Sequence, residues 1–186
     1  MVRYLLAKAT VMCFILVTLL LSCSKEEEPE PTYPTGAVGA ITWNPDGSRI
    51  AILWTPLVWD SLQNYYHGIP ESTGIWFINP DGSNLTMFLD GIFGSLDWHP
   101  NREKILAPGC EISIIDSSVT HIPNVHSYPR YNSDGSKILY ANYVGDSMGL
   151  WIVNSDGSNP RRIDINGMKG DWAPNGKELV YHRYPN

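Results

Sequence analysis

The sequence predicts an all-β fold in which blades of four antiparallel strands repeat about three and a half times, as in a partial or open β-propeller. Three observations carry this reading. A turn phrase occurs four times, as Trp43-Asn44-Pro45-Asp46-Gly47, Trp98-His99-Pro100-Asn101-Arg102, Tyr131-Asn132-Ser133-Asp134-Gly135 and Trp172-Ala173-Pro174-Asn175-Gly176. Each copy separates two apolar runs, and Asp-Gly or Asn-Gly supplies the positive φ that a tight turn between twisted strands needs. A second phrase follows the first, as Asn79-Pro80-Asp81-Gly82-Ser83-Asn84, a degenerate Ile115-Asp116-Ser117-Ser118, and Asn154-Ser155-Asp156-Gly157-Ser158-Asn159. Two hairpins in tandem make one four-stranded unit. The composition agrees: seven Trp and ten Tyr against four Phe, with 16 Gly and 14 Pro, suit half-buried strands and many turns.

Residues 1–22 read as a targeting segment. Arg3 and Lys8 flank its start, and the apolar run over 9–21 is shorter than the roughly 20 residues a membrane span takes. The run ends in Leu20-Leu21-Ser22-Cys23, which resembles a bacterial lipoprotein signal. That resemblance implies cleavage after Ser22 and a diacylglycerol thioether on Cys23. Ser24-Lys25-Glu26-Glu27-Glu28 resembles the Lys-then-acidic export tag of surface lipoproteins in some Gram-negative bacteria. Residues 23–37 form an acidic, Pro-rich tether that cannot bury a core. The expected address is the bacterial outer membrane, lipid-anchored and facing the periplasm or the cell surface. The alternatives are an uncleaved anchor and a linker with no sorting role.

Blade strands are expected over 38–43, 49–55, 75–79 and 85–89, then over 93–98, 104–107, 111–115 and 119–122. A third set follows at 125–131, 137–143, 149–154 and 161–165, and a half blade at 168–172 and 178–183. The marker aromatics are spaced by 55, 33 and 41 residues, around the blade length of about 40 to 45 that radial β repeats use. Blade two is the shortest and lacks the turn Gly at Asn101-Arg102-Glu103, which predicts the least regular unit.

These phrases resemble the repeats of TolB-like and WD40-like propellers over 38–186, in the Trp-x-Pro-Asp-Gly form. The resemblance implies fold strongly and function weakly, since propellers serve as receptors, scaffolds, lyases and peptidase gates alike. Pro-rich residues 24–37 cannot supply the two missing central strands. An open arc with exposed edges is expected, either part of a longer propeller or closed against another copy.

Both turn phrases of every blade are expected on one face, with the remaining connections on the other. In blade one that remaining connection, over 56–73, is long enough to be a functional loop. Trp59, Tyr65, Tyr66 and His67 offer flat amphipathic surfaces for a sugar ring or a peptide, and Asp60, Gln63 and Asn64 offer groups to orient hydroxyls. The alternative is a cap in which the same aromatics cover the edge of blade one.

Other candidates are weaker. Asp46, Asp81, Asp134 and Asp156 each precede Gly-Ser, which fits a side chain capping its own turn and not a calcium ladder. His67, His99, His121, His126 and His182 contain one close pair, His121 and His126, without a third ligand, so no metal is expected. There is no nucleophile elbow and no phosphate-cradling loop. Asp97 and Asp171, each directly before a Trp, occupy matching repeat positions and read as structural. Cys110 is alone in the folded part, which leaves it no disulfide partner and no polarising neighbour. The net charge of −6 carries no basic footprint for nucleic acid.

The expected function is a cell-envelope lipoprotein whose propeller binds a protein, peptide or glycan, with no chemistry and no cofactor of its own. It would touch the membrane through the lipid on Cys23, and a homodimer is one way to close its edges. The alternative is the N-terminal propeller of a larger enzyme, resembling the gating domain of prolyl-oligopeptidase-like peptidases or the folds of some glycan lyases.

Overall fold

Apolar residues at every second position make each repeat a set of strands with two working faces, one toward each neighbouring blade. The computed structural model describes residues 35–185; the expected signal segment, Cys23 and the expected tether up to Pro34 lie outside them. Blade one contains β1 (Gly36–Trp43), β2 (Ile50–Asp60), β3 (Tyr65–Gly68), β4 (Gly74–Ile78) and β5 (Thr86–Asp90). Its sheet order is β1-β2-β4-β5, with β3 paired to the far end of β2. Blade two is β6 (Asp97–Trp98), β7 (Lys104–Ala107), β8 (Cys110–Ser113) and β9 (Val119–His121), in that order. Blade three is β10 (Ser127–Tyr131), β11 (Lys137–Asn142), β12 (Gly149–Asn154) and β13 (Arg161–Asp164), also in sequence order. The half blade is the hairpin of β14 (Gly167–Trp172) and β15 (Leu179–Arg183).

The turns form as their composition dictates. Gly47, Gly135 and Gly176 take φ of 72°, 74° and 67°, and the Asp side chains cap the turns. The backbone N–H of Ser48, Ser83 and Ser158 reaches the carboxylate two residues earlier at 2.9 Å, and that of Ser136 does so at 2.8 Å. Gly74 and Gly149, at matching places, open the third strand of their blades. A Cβ there would stand 2.2 Å from the Leu89 carbonyl oxygen and 2.5 Å from that of Asp164, so only glycine lets the fourth strand cross so closely.

The first strands β1, β6, β10 and β14 touch in series, as inner strands of a ring do. Between blades one and two lie Ala51, Ile75, Leu96, Trp98, Ile105, Ala107 and Ile112. Between blades two and three lie Leu106, Ile122, Val125, Tyr131, Ile138, Tyr140 and Val153. The alternation along β7 makes this division: Ile105 and Ala107 face blade one, and Leu106 between them faces blade three. Against the half blade, Leu139 and Leu150 meet Gly170 and Gly167. At the first flank of the row Ile41 and Trp43 are more than half exposed.

Three expectations need correction. The strand expected over 93–98 shrinks to Asp97–Trp98, because Ser95 and Leu96 turn into the interior instead of pairing. Blade two is accordingly the least regular, with strands of two and three residues at its ends. The connection over 56–73 is not a loop but a strand extension and hairpin followed by a short 3-10 turn at Pro70–Ser72. Finally, the two kinds of turn do not keep to one face throughout. The first turns do form a row, in which Arg102 pairs with Asp46 at 2.9 Å. The outer turn of blade three instead packs on the crossing from blade two, where Asn124 donates to the Gly157 carbonyl at 3.2 Å. Sheet twist rotates the outer strands relative to the inner ones and carries that turn sideways.

Candidate functional site

Blade one differs from blade three by one insertion. In both, a short 3-10 turn leads to Gly-x-Trp in the third strand, and the Trp indole N–H bonds back to that turn: Trp76 to Ser72 at 3.1 Å, Trp151 to Ser147 at 2.9 Å. Blade one places a hairpin ahead of this feature. β2 changes partner at Pro56, which has no N–H to offer a ladder. Up to Pro56 it pairs with β1, and from Leu57 to Asp60 it pairs with β3. The Leu57 N–H to Thr35 at 3.0 Å and the Ile69 N–H to the Pro56 carbonyl at 2.9 Å hold the base.

The tip is built by Asp60 and Asn64. The Asp60 carboxylate accepts from the N–H groups of Leu62 at 2.8 Å and Gln63 at 3.1 Å, and its carbonyl accepts from Asn64, whose φ is 57°. Of the three side chains named as hydroxyl-orienting groups, that of Asp60 is spent on the turn, while Gln63 and Asn64 are exposed at the tip.

The strand period divides the aromatics between two faces. Trp59 and Tyr66 are cross-strand partners whose rings meet edge to face at 5.0 Å. Tyr65 and His67 occupy the other face, ring centroids 6.1 Å apart. Trp59 is 47% exposed and Tyr66 54%, so these rings project into solvent and do not cover the edge of blade one. Leu62 at the tip is 96% exposed. The result is a convex ridge with aromatic side chains on both flanks, not an enclosing pocket. From 56 to 70 its one carboxylate is Asp60 and it has no Lys or Arg.

Sequence reasoning missed three cavities. One, of about 210 Å³, is lined by Gly94, Ser95, Pro108, Ser127, Tyr128 and Tyr143. Tyr128 holds a φ of 54°, costly for a bulky side chain, and Lys169 Nζ lies 3.9 Å from its ring centroid. The buried Ser95 Oγ has no hydrogen-bond partner among the described residues. A second cavity, of about 330 Å³, lies between blades two and three and includes Glu111, Lys104 and His121. A third, of about 540 Å³, flanks the half blade and is lined in part by Lys137, Arg161, Ile163, Trp172 and Lys177.

The buried ionisable groups are tied between blades. Asp97 accepts from the Tyr131 N–H at 2.8 Å, and burial pushes its carboxyl up to about 6. Glu111 accepts from the Tyr131 hydroxyl and from Lys104 Nζ, the latter at 2.8 Å. Burial, more than the Glu111 bond, raises the Tyr131 pKa. Asp171 caps the Trp172 N–H at 2.8 Å and, among the described residues, makes no comparable bond to another blade. Burial also raises the pKa of the Cys110 thiol, which disfavours the reactive thiolate. His121 and His126 gain no third partner: among the described residues no three His, Cys, Asp or Glu side chains converge as metal ligands would.

No known protein family matches the sequence, and no curated protein does. Solved structures do match in shape. A putative TolB from Agrobacterium tumefaciens superposes with a TM-score of 0.58 at 16% identity, over 83% of this chain and 61% of that one. TolB from Acinetobacter baumannii gives 0.55 at 12% identity, over 81% of this chain and 49% of that one. A nidogen/laminin complex gives 0.50 at 8% identity, over 68% of this chain and 48% of that one. The chain therefore has a TolB-like β-propeller fold and spans between about half and three fifths of the TolB chains it matches.

Proposed function

We propose that this chain is a lipid-anchored protein of the bacterial envelope whose partial propeller is a protein-binding module, with the hairpin of β2 and β3 as its contact. One observation carries the reading: Val58, Trp59, Leu62, Tyr65 and Tyr66 are all at least 45% exposed on a ridge whose base is held by hydrogen bonds. A monomer has no folding reason to keep five large apolar side chains in water on one projection. Trp and Tyr are the side chains that dominate binding at protein interfaces. A convex ridge fits a concavity on another protein; a sugar or small molecule would need a pocket around it. The shared shape with TolB and with a nidogen/laminin complex supports a scaffold role and assigns no partner. This reading gives the chain no chemistry of its own.

The anchor rests on the Leu20-Leu21-Ser22-Cys23 motif and the acidic tether. Cys23→Ala is expected to release the protein from the membrane fraction, and its retention there would remove the lipid from the account. The contact is tested with a photo-crosslinking residue at Leu62, compared with one at Ile92, which is 94% exposed on a different loop. A discrete protein adduct from position 62 and none from 92 is expected. Equal labelling from both positions would show that the hairpin is ordinary surface.

A further inference from the structure

One repeat position carries three different polar side chains. Three residues before the marker aromatics Trp98, Tyr131 and Trp172 stand Ser95, Tyr128 and Lys169. The first strands touch in series, and these residues meet: Ser95 and Tyr128 line the same cavity of about 210 Å³, and Lys169 Nζ lies 3.9 Å from the Tyr128 ring centroid. The cavity lies between blades two and three. Two features there cost the fold free energy. The Ser95 hydroxyl is buried without a hydrogen-bond partner among the described residues, and Tyr128 holds a φ of 54° where the register of β10 shifts between Ser127 and Arg130. A bulge of this kind re-aims a side chain, and backbone strain of this kind gathers at binding sites.

We infer that this cavity binds a small carboxylate, with Lys169 as its counter-ion. Ser95, Ser127, Tyr128 and Tyr143 each bring a hydroxyl to the lining, and no lining residue carries a carboxylate. Burial raises the Tyr143 pKa, which keeps that hydroxyl a donor. Lys169 is exposed and makes no ion pair among the described residues. Its ammonium rests on a ring face, a weaker partner than a carboxylate. Asp97 and Asp171, the acidic residues of the neighbouring repeat position, are held by the N–H groups of Tyr131 and Trp172. A phosphate group carries more charge than one ammonium balances, whereas a carboxylate matches it. Pro108 and the Tyr143 ring offer apolar wall to the body of the ligand. That body is small, since cavities for drug-sized molecules start at about 300 Å³. The carboxylate comes from a free acid or from the C-terminus of a peptide, and the chemistry at Lys169 is the same for both. The inference rests on neither the lipid on Cys23 nor the hairpin of β2 and β3.

The test is isothermal titration calorimetry of the full chain with benzoate and with benzamide, its uncharged counterpart of the same shape. Benzoate is expected to bind at least tenfold more tightly. Lys169→Met should remove that preference and keep the melting temperature within about 2 °C of the parent, since the side chain is exposed. Ser95→Ala should weaken benzoate at least threefold without lowering the melting temperature, because the hydroxyl it deletes has no partner to lose. Trp59→Ala with Tyr66→Ala should leave the preference intact. Acetyl-Gly-Gly-Phe with a free C-terminus, set against its amide, separates the two sources. Tighter binding of the free tripeptide than of benzoate assigns a chain terminus, and the reverse order assigns a free acid. Equal binding of benzoate and benzamide, binding of neither, or a preference that survives Lys169→Met would overturn the inference. A melting temperature that falls with Ser95→Ala would show that the hydroxyl serves the fold and equally overturn it.

Discussion

The indole N–H of Trp98 donates to the backbone carbonyl of Thr42 at 3.1 Å, so the marker aromatic of blade two holds the first strand of blade one. Trp172 repeats the bond one step further, to the Arg130 carbonyl at 3.2 Å. In blade three the marker is Tyr131, and its hydroxyl goes to Glu111 of the preceding blade. Trp43 has no preceding blade among the described residues and is 54% exposed. The same residue in the same phrase therefore differs in worth with its place in the row. Trp98→Phe is expected to cost about 1 to 3 kcal/mol, from a part-buried acceptor that loses its donor and from lost packing. Trp43→Phe is expected to stay within about 0.5 kcal/mol. Urea unfolding of both variants checks this; equal losses would mean that the aromatic acts only within its own hairpin.

Glu111 is a buried carboxylate held by two donors, the Tyr131 hydroxyl and Lys104 Nζ. Tyr131→Phe removes one donor and leaves a desolvated charge less well satisfied, at a cost of about 1 to 3 kcal/mol. Glu111→Gln combined with Tyr131→Phe should cost less than the sum of the single changes, because the second change removes a partner already lost. A double-mutant cycle by chemical denaturation measures the difference. Strict additivity would show that the two groups do not interact.

The Asp97 carboxyl is raised from 3.8 to about 6 by burial, against the Tyr131 N–H and the Arg130 charge, both of which favour its ionised form. A group that holds its proton more tightly when folded gives its full stabilisation below the unfolded value and loses it as pH rises through the folded one. The window is therefore pH 3.8 to about 6, with stability falling upward through it. Asp97→Asn keeps an acceptor for the Tyr131 N–H and removes the titration. The variant should gain on the parent by about 2 to 2.5 kcal/mol between pH 4 and 7. Denaturation at intervals across that range reads the gain, and a constant difference would contradict it.

The sequence shows its strands where turn chemistry and alternation act locally. β7 and β12 fall at the expected residues, and the Asp side chains cap their own turns as their Gly-Ser neighbours suggest. Distance in the chain hides the rest. Trp98 and Thr42 are 56 residues apart, as are Arg102 and Asp46, and no local pattern pairs them. The 56–73 segment did carry a hairpin signal, with an aromatic run on either side of Asp60 and Asn64. Pro56 and the length of the segment made it read as a loop. The seven residues proposed there are together in space, but a period of two puts Trp59 and Tyr66 on one face and Tyr65 and His67 on the other. Sequence proximity alone does not resolve that division.

The account's central claim is that the hairpin binds and the blades carry it. The measurement that tests this most directly is made on the variant with Trp59→Ala and Tyr66→Ala, reading together its melting temperature and its yield of the protein adduct formed from position 62. Both side chains are about half exposed, and their rings meet edge to face. The account predicts a melting temperature within about 2 °C of the parent and an adduct yield lowered at least tenfold. A melting temperature that falls in parallel with the yield, or a yield that does not fall, would contradict it.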